Sequence, residues 1–153
     1  MGAVEGALDF NPNVVSILIG VNDAAKELET KDPSVRTDFE KTYRELLTLT
    51  REKLPDVLFV LGEPFILPVG KVMENELLWR KTIGARQEVT KRLSLEFNAV
   101  FVGYQQIFSD ACKNAAASYW IWDGIHPTVP GHELMARAWI KKVSKRLPAI
   151  RNE

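Results

Sequence analysis

A histidine and an aspartate three positions apart are the residues of this chain best suited to chemistry. They lie in the run DGIHP, Asp123 to Pro127. Histidine gains and loses a proton near neutral pH, which makes it the usual general base, and a carboxylate partner fixes its tautomer. Because Gly124 permits a tight turn, Asp123 can reach one ring nitrogen of His126 and leave the other for a substrate. The pair predicts acid–base catalysis, and the alternative is that it only ties down a loop.

The run GVND, Gly20 to Asp23, is the second candidate, because it directly follows an apolar segment that predicts a strand. The side-chain amide of Asn22 can donate a hydrogen bond to a developing oxyanion, which lowers the barrier to acyl transfer. Glycine, asparagine and aspartate also favour turns. The alternative is therefore that Asn22 and Asp23 only shape a turn or cap the next element.

A metal site is the third possibility for these residues, and it is not favoured. Asp123, His126 and His132 would have to converge from a loop and a helix start, and no ligand-spacing motif supports them. His132 is expected to be half exposed in the first turn of the last helix, without a chemical role. The single cysteine, Cys112, gives neither a disulfide nor a zinc-finger spacing. We predict no metal and no cofactor.

The elements that must position these residues are predicted from three apolar runs, each followed by a helical pattern. The runs are Val14–Ile19, Val57–Leu61 and Ala99–Val102. Runs this continuously apolar are typical of parallel strands covered by helices on both faces. The first predicted helix extends over about Val35–Lys53, with Ser34 as its cap. The second extends over about Glu74–Phe97, and the last begins near Gly131.

Strands alternating with helices predict an α/β fold with a parallel sheet, in which ligands bind beyond the carboxyl ends of the strands. Two loops are expected at that edge, Glu63–Lys71 and Lys113–Gly131. A flavodoxin-like nucleotide or flavin module would share this layout, but no glycine-rich phosphate loop follows any strand.

Composition limits the partners that the chain can be expected to have. Its 153 residues suit one domain, residues 1–153, and 46% of them are hydrophobic and 26% charged, which is ordinary for a globular protein. The net charge of zero does not indicate a nucleic-acid partner. No apolar run approaches the roughly 20 residues that span a bilayer, and Met1–Phe10 has no signal-peptide pattern. We expect a soluble, cytoplasmic protein with no membrane partner.

The two candidate runs together resemble the third and fifth conserved blocks of the SGNH (GDSL-type) hydrolases. GVND follows a strand and DGIHP precedes a helix, as in that family, and the resemblance extends over nearly the whole chain from about Asp9. The run YWIW, Tyr119 to Trp122, is similar to the members that act on acetylated sugars.

The resemblance implies a flavodoxin-like three-layer α/β/α fold and hydrolysis of carboxylic esters without a metal. Carried over residue by residue, it makes His126 the general base, Asp123 its orienting partner and Asn22 an oxyanion-hole donor. Asp23 would then have a structural role. The expected substrate is a small ester of an acetyl or other short acyl group. Trp120 and Trp122 could line the mouth of the site and stack on a sugar ring, or simply pack.

The family's nucleophile, a serine in a GDS motif on the first strand, has no counterpart here. The chain therefore resembles an N-terminally truncated member that lacks the first two strand–helix units. None of its six serines is expected to substitute: Ser16 is predicted to be packed in its strand and Ser34 to cap a helix. Ser94 and Ser144 are predicted on helices, and Ser109 and Ser118 in loops.

Loss of those units would leave the strand Val14–Ile19 at the edge of the sheet, where it could pair with a second copy of the chain. The alternative to an enzyme is a non-catalytic remnant or binding subunit, which another polypeptide would complete.

Overall fold

A single parallel sheet of three strands forms the centre of the computed structural model, which describes residue 6 and residues 8–147. The strands are β1 (Val14–Leu18), β2 (Leu58–Gly62) and β3 (Val100–Val102), in the order β1-β2-β3. Val14 pairs with Leu58 in the first ladder, and Val60 pairs with Val100 in the second. The expectation that Met1–Phe10 is not a signal peptide concerns residues that lie largely outside the described ones.

Six α-helices and one 3-10 helix surround the sheet within the described residues. They are α1 (Val21–Thr30), α2 (Ser34–Lys53), the 3-10 helix (Gly70–Asn75), α3 (Glu76–Glu96), α4 (Tyr104–Ala111), α5 (Ala117–Trp120) and α6 (Val129–Val143). The predicted ends of α2 and α3 and the predicted start of α6 lie within two residues of those in the structure. Helices α1, α4 and α5 were not predicted.

The helices form layers on both faces of the sheet because alternate strand residues point to opposite sides. Phe59 and Leu61 face α2 and α3, where they pack with residues such as Tyr43 and Leu93. Val60 packs on the other face in a cluster built from α4 and α6. The expected three-layer α/β/α fold with a parallel sheet is confirmed.

A third apolar cluster connects α1 to α3 and to two loops. It contains Ala24 from α1 and Trp79 and Ile83 from α3. Ile66, from the loop after β2, and Ile125, from the turn before α6, complete it. This cluster joins the helix that carries Asn22 to the turn that carries Asp123 and His126.

The start of α2 differs from the prediction. Ser34 is the first helical residue rather than the cap, and its backbone N–H donates to Oδ1 of Asp32 at 2.9 Å. An aspartate two residues before the helix therefore performs the capping hydrogen bond.

Strand β1 lies at the edge of the sheet, and its outer side is open. Leu18 is 45% exposed. Ser16 is exposed as well, so the prediction that it packs is wrong; its hydroxyl accepts a hydrogen bond from Nε1 of Trp139 at 3.1 Å. Pairing of this edge with a second copy stays a prediction. None of the described helices is both long and apolar enough to cross a membrane.

Candidate active site

The candidate residues of both runs meet in one cleft of about 240 Å³ beyond the carboxyl ends of the strands. One side, here called the asparagine wall, is formed by Leu18, Ile19, Val21 and Asn22. The opposite side, the histidine wall, is formed by Pro64, Phe65, Ile125, His126, Pro127, His132 and Met135. The lining is mostly apolar, and Asn22, His126 and His132 supply its polar side chains.

Asp123 and His126 form the hydrogen-bonded pair that the sequence predicted. Nδ1 of His126 lies 2.8 Å from Oδ2 of Asp123, while Oδ1 accepts the backbone N–H groups of Ile125 at 2.9 Å and His126 at 2.8 Å. Burial by itself would raise the pKa of Asp123, but these hydrogen bonds lower it to about 2. The carboxylate is therefore ionised near neutral pH and can only accept, so Nδ1 of His126 is the donor of this hydrogen bond.

Two glycines fix the turn that carries this pair. Gly124 has φ of +97°, and a Cβ there would lie 2.5 Å from the carbonyl oxygen of Val69. Gly70 has φ of +53°, and a Cβ there would lie 2.7 Å from the carbonyl oxygen of Asp123. The backbone N–H of Leu67 donates to the Gly124 carbonyl at 3.0 Å. The turn thus lies directly on the loop after β2, and only glycine fits at the contacts.

Thr128 closes the same turn from its other end. Its hydroxyl donates to the carbonyl of Tyr119 at 2.6 Å and accepts the N–H of Gly131 at 3.2 Å, as an N-cap does. Its own N–H donates to the carbonyl of Trp120 at 2.9 Å. The segment between α5 and α6 is therefore fastened at both ends, which orients the ring of His126.

Asn22 lies in the first turn of α1, and not in a loop. Gly20, with φ of +117°, lets the chain pass from β1 into the helix. The side chain of Asn22 lines the cleft, is exposed and has no hydrogen-bond partner within residues 8–147. The first turn of a helix also presents backbone N–H groups without intrahelical partners. The asparagine wall therefore offers hydrogen-bond donors opposite His126.

A buried ion pair on the helix that carries Asn22 was not predicted from the sequence. Arg86 of α3 is fully buried and pairs with Glu27 of α1, which also pairs with Arg36 at 2.6 Å. Burial raises the pKa of Glu27, but hydrogen bonds from the two arginines outweigh it and lower that pKa overall. The one signal in the sequence is that Glu27 interrupts the apolar face of α1 that contains Ala24 and Leu28.

A second polar network, also missed, holds the loop after β2. Gln105 of α4 accepts the N–H of Ile66 at 3.1 Å and donates to its carbonyl at 3.0 Å. Gln87 of α3 donates to Oε1 of Gln105 at 3.2 Å and to the carbonyl of Pro64 at 2.9 Å. Glu63 accepts the backbone N–H of Gln105, and burial raises the pKa of its carboxyl.

The two tryptophans of the YWIW run have different positions. Trp122 is 64% exposed, and its ring stacks on that of His126 with centroids 5.9 Å apart. Trp120 is half-buried and packs against the cluster between α4, α6 and the sheet. Trp122 is thus the one that can meet a ligand, and a sugar-binding role stays a prediction for both.

The remaining candidates can also be located. His132 lines the cleft from the first turn of α6 and is exposed rather than half exposed. All six serines of the chain lie within the described residues, and none lines this cleft. The prediction that Ser109 and Ser118 lie in loops is wrong, since they lie on α4 and α5. Among the described residues the cleft therefore combines Asn22 with a histidine that is hydrogen-bonded to Asp123, and no serine lines it.

The chain resembles known proteins over most of its length. A sequence model of the GDSL-like Lipase/Acylhydrolase family matches residues 2–134. An acetylxylan esterase from Geobacillus stearothermophilus is 29% identical over 143 residues, which are 91% of this chain. The chain spans 63% of the length of that esterase.

Solved structures agree with the sequence matches. A GDSL-like lipase from Parabacteroides merdae has a TM-score of 0.82 and 41% identity, over 88% of this chain and 62% of its own. The acetylxylan esterase Axe2 from Geobacillus stearothermophilus has a TM-score of 0.72 and 28% identity, over 89% of this chain and 61% of its own.

Proposed function

Because the chain belongs to the GDSL-like lipase/acylhydrolase family, we propose that its cleft is the acid–base and oxyanion half of a carboxylic ester hydrolase. The observation that carries the proposal is the hydrogen bond between Nδ1 of His126 and Asp123, in a cleft whose opposite wall presents the amide of Asn22. The substrate proposed is an acetyl or other short acyl ester of a carbohydrate.

In this chemistry each group has one task. A hydroxyl nucleophile gives its proton to Nε2 of His126 as its oxygen forms a bond to the ester carbonyl carbon, and Asp123 stabilises the charged ring. Asn22 donates to the oxygen that becomes negative. When the tetrahedral intermediate collapses, the carbon–oxygen bond to the alcohol breaks and His126 returns the proton to the leaving alcohol. Water then releases the acyl group by the same steps, and no cofactor takes part.

The relatives support the carbohydrate ester as substrate. Solved catalytic mutants of Axe2 include an aspartate and a histidine three positions apart, the spacing of Asp123 and His126. A variant of the tryptophan directly before that aspartate, the position of Trp122 here, has also been solved for this acetyl-xylooligosaccharide esterase. The exposed ring of Trp122 beside His126 offers a face on which a sugar can stack.

One observation favours the alternative, a binding subunit that another polypeptide completes. The hydroxyl nucleophile has to come from a serine, and no serine of the chain lines the cleft. In this alternative the cleft retains affinity for the acylated sugar and performs no turnover alone.

The test combines a serine-reactive fluorophosphonate, read by intact-mass spectrometry, with the hydrolysis of p-nitrophenyl acetate and acetylated xylo-oligosaccharides. The chain is compared with a double variant, Asn22→Ala with His126→Ala, and with His132→Ala as a control histidine in the same cleft. A stoichiometric adduct and ester hydrolysis that disappear only in the double variant would support the hydrolase. A folded chain that forms no adduct and hydrolyses no ester contradicts catalysis by this chain, and binding of the oligosaccharide would then support the subunit.

A further inference from the structure

Two consecutive residues of α3 each hold one wall of the cleft. We propose that Arg86 and Gln87 are positioning residues that together set the placement of Asn22 relative to His126. The inference rests on the proposed function, since it concerns the same cleft, but it assigns roles to two residues that touch no substrate.

Arg86 contacts α1 at two points and the glycine that precedes it at a third. Its guanidinium pairs with the carboxylate of Glu27 and donates to the carbonyl of Asp23 at 3.3 Å. Its stem lies beneath Gly20, where an added Cβ would be 3.2 Å from Cβ and Cγ of Arg86. Asn22 lies between these points along the chain. A displacement of Arg86 should therefore move the start of α1, and Asn22 with it.

Gln87 acts on the opposite wall through the loop after β2. It donates to the carbonyl of Pro64 and to Gln105, which in turn holds Ile66 by both of its backbone groups. The next residue of that loop, Leu67, donates its N–H to the carbonyl of Gly124. A series of hydrogen bonds, linked by the peptide bond between Ile66 and Leu67, thus extends from Gln87 to the turn that carries His126.

The geometry of α3 lets these two side chains point in different directions. Neighbouring side chains on an α-helix diverge by about 100° while their Cα atoms stay within one rigid backbone. Arg86 therefore reaches α1, and Gln87 reaches the loop after β2. Both walls are thus held by side chains of the same helix. Ala24 and Ile66 also pack in one apolar cluster with Trp79 and Ile83 of α3, which fills the space between the two series of contacts.

The charge of Arg86 supports a role in placement. A buried ion pair can often be replaced by apolar side chains of similar volume without loss of stability, so stability alone does not account for a fully buried guanidinium. An apolar side chain could fill the space, but it could not bond Glu27 and the Asp23 carbonyl together. The fork of the guanidinium fixes the direction of α1 as well as its distance.

The experiment uses the full chain labelled with ¹⁵N and compares Arg86→Met with Gln87→Met. Arg86→Met leaves Glu27 paired with Arg36, so it does not strand the carboxylate. The controls are Arg80→Met, which removes an exposed arginine of the same helix, and Gln106→Met, which removes an exposed glutamine beside Gln105. The NMR readouts are the side-chain amide of Asn22, the ring of His126 and the hydrogen exchange of nearby backbone amides.

We expect Arg86→Met to shift the Asn22 amide and to raise exchange in α1 about tenfold relative to β2, with the His126 ring unchanged. Gln87→Met should shift the His126 ring and the Ile125 amide and leave Asn22 unchanged, and the controls should move neither. The proposal is overturned if each variant moves both walls equally, or if neither wall moves. Should Arg86→Met fail to fold, Arg86→Lys, which keeps the charge without the fork, should still shift Asn22, and an unshifted amide would overturn the proposal.

These readouts need no turnover, so they are separate from the test of the proposed function. A chain that hydrolyses no ester but shows the two separate responses contradicts the hydrolase and supports the positioning roles. If the chain does hydrolyse esters, Arg86→Met should lower kcat about tenfold with KM nearly unchanged, because Asn22 acts mainly in the transition state. An unchanged kcat with a displaced Asn22 amide would overturn the role of Arg86 in placement for catalysis.

Discussion

The two walls of the cleft are built in different ways. In the histidine wall, the short turn that carries His126 is fastened to itself and to the loop after β2 by backbone hydrogen bonds and by glycines at positive φ. The asparagine wall includes the beginning of α1, and this helix is held by the buried ion pair between Glu27 and Arg86, which are 59 positions apart. The Asp123–His126 pair is specified within one short turn, although that turn also docks on the distant loop after β2, whereas the ion pair that holds the start of α1 joins residues far apart in the sequence.

A methyl group at Gly124 should have a large effect, because it breaks the histidine wall where the turn meets the backbone of the loop after β2 and also imposes strain at positive φ. Gly124→Ala combines a backbone cost of about 1–3 kcal/mol at positive φ with overlap on Val69 and Val72 that costs about as much. We expect the free energy of unfolding to fall by about 4 kcal/mol in urea titrations. Gly20→Ala, on the asparagine wall, meets only side chains at 3.2 Å or more and should cost about 1–2 kcal/mol. Equal losses at both glycines would contradict the difference drawn between the walls.

The corresponding substitution that weakens the support of the asparagine wall is Glu27→Gln. It leaves the buried guanidinium of Arg86 without its counter-charge. Breaking a buried pair by removing one partner costs about 3–5 kcal/mol, and a loss near 3 kcal/mol is expected because glutamine retains a hydrogen bond. The matched control is Glu76→Gln, in an exposed pair with Arg80 on α3, which should cost at most about 0.5 kcal/mol. Chemical denaturation measures both. A loss below about 1 kcal/mol for Glu27→Gln would show that the pair does not hold α1.

The same difference explains what the sequence could predict. Asp123, Gly124 and His126 lie within four positions, so the hydrogen-bonded turn follows from residue types and spacing alone. The parallel strands were predicted because their apolar runs are continuous. Helix α1 was not predicted, because Asn22 and Asp23 in its first turn are residues that also favour turns.

Contacts between distant residues account for the rest of what was missed. No local pattern indicates that Arg86 lies beneath Gly20, or that Gln105 bonds to Ile66 across 39 positions. Ser16 was placed in the core because its neighbours in the strand are apolar. The resemblance had already put Val14–Ile19 at the edge of the sheet, where alternate residues are open, and the prediction for Ser16 did not take that into account.

Acid should loosen the histidine wall through Asp123. The pKa of this carboxyl is lowered from 3.8 to about 2, so the folded state binds its proton more weakly than the unfolded state does. The resulting stability is fully present above about pH 4 and is lost as the pH falls toward 2, which amounts to about 2 kcal/mol. Other carboxyls with lowered pKa values, Glu27 among them, contribute as well. The difference between the chain and Asp123→Asn, measured at pH 5 and near pH 2, isolates the contribution of Asp123; a difference that does not change with pH would contradict it.

The smallest expected effect on stability comes from Trp122→Ala, because that ring is 64% exposed and contributes to the histidine wall only by stacking on His126. The free energy of unfolding should change by less than about 0.5 kcal/mol, as for most surface substitutions. Affinity for an acetylated xylo-oligosaccharide, measured by calorimetry, should fall about 3- to 10-fold, because an aromatic face contributes about 0.5–1.5 kcal/mol to such a contact. Ile19→Ala, at an exposed apolar residue of the opposite wall, should weaken binding less, and Trp122→Phe should restore most of the affinity. If Ile19→Ala is the more damaging change, the sugar rests on the asparagine wall, and the aromatic face beside His126 does not orient it.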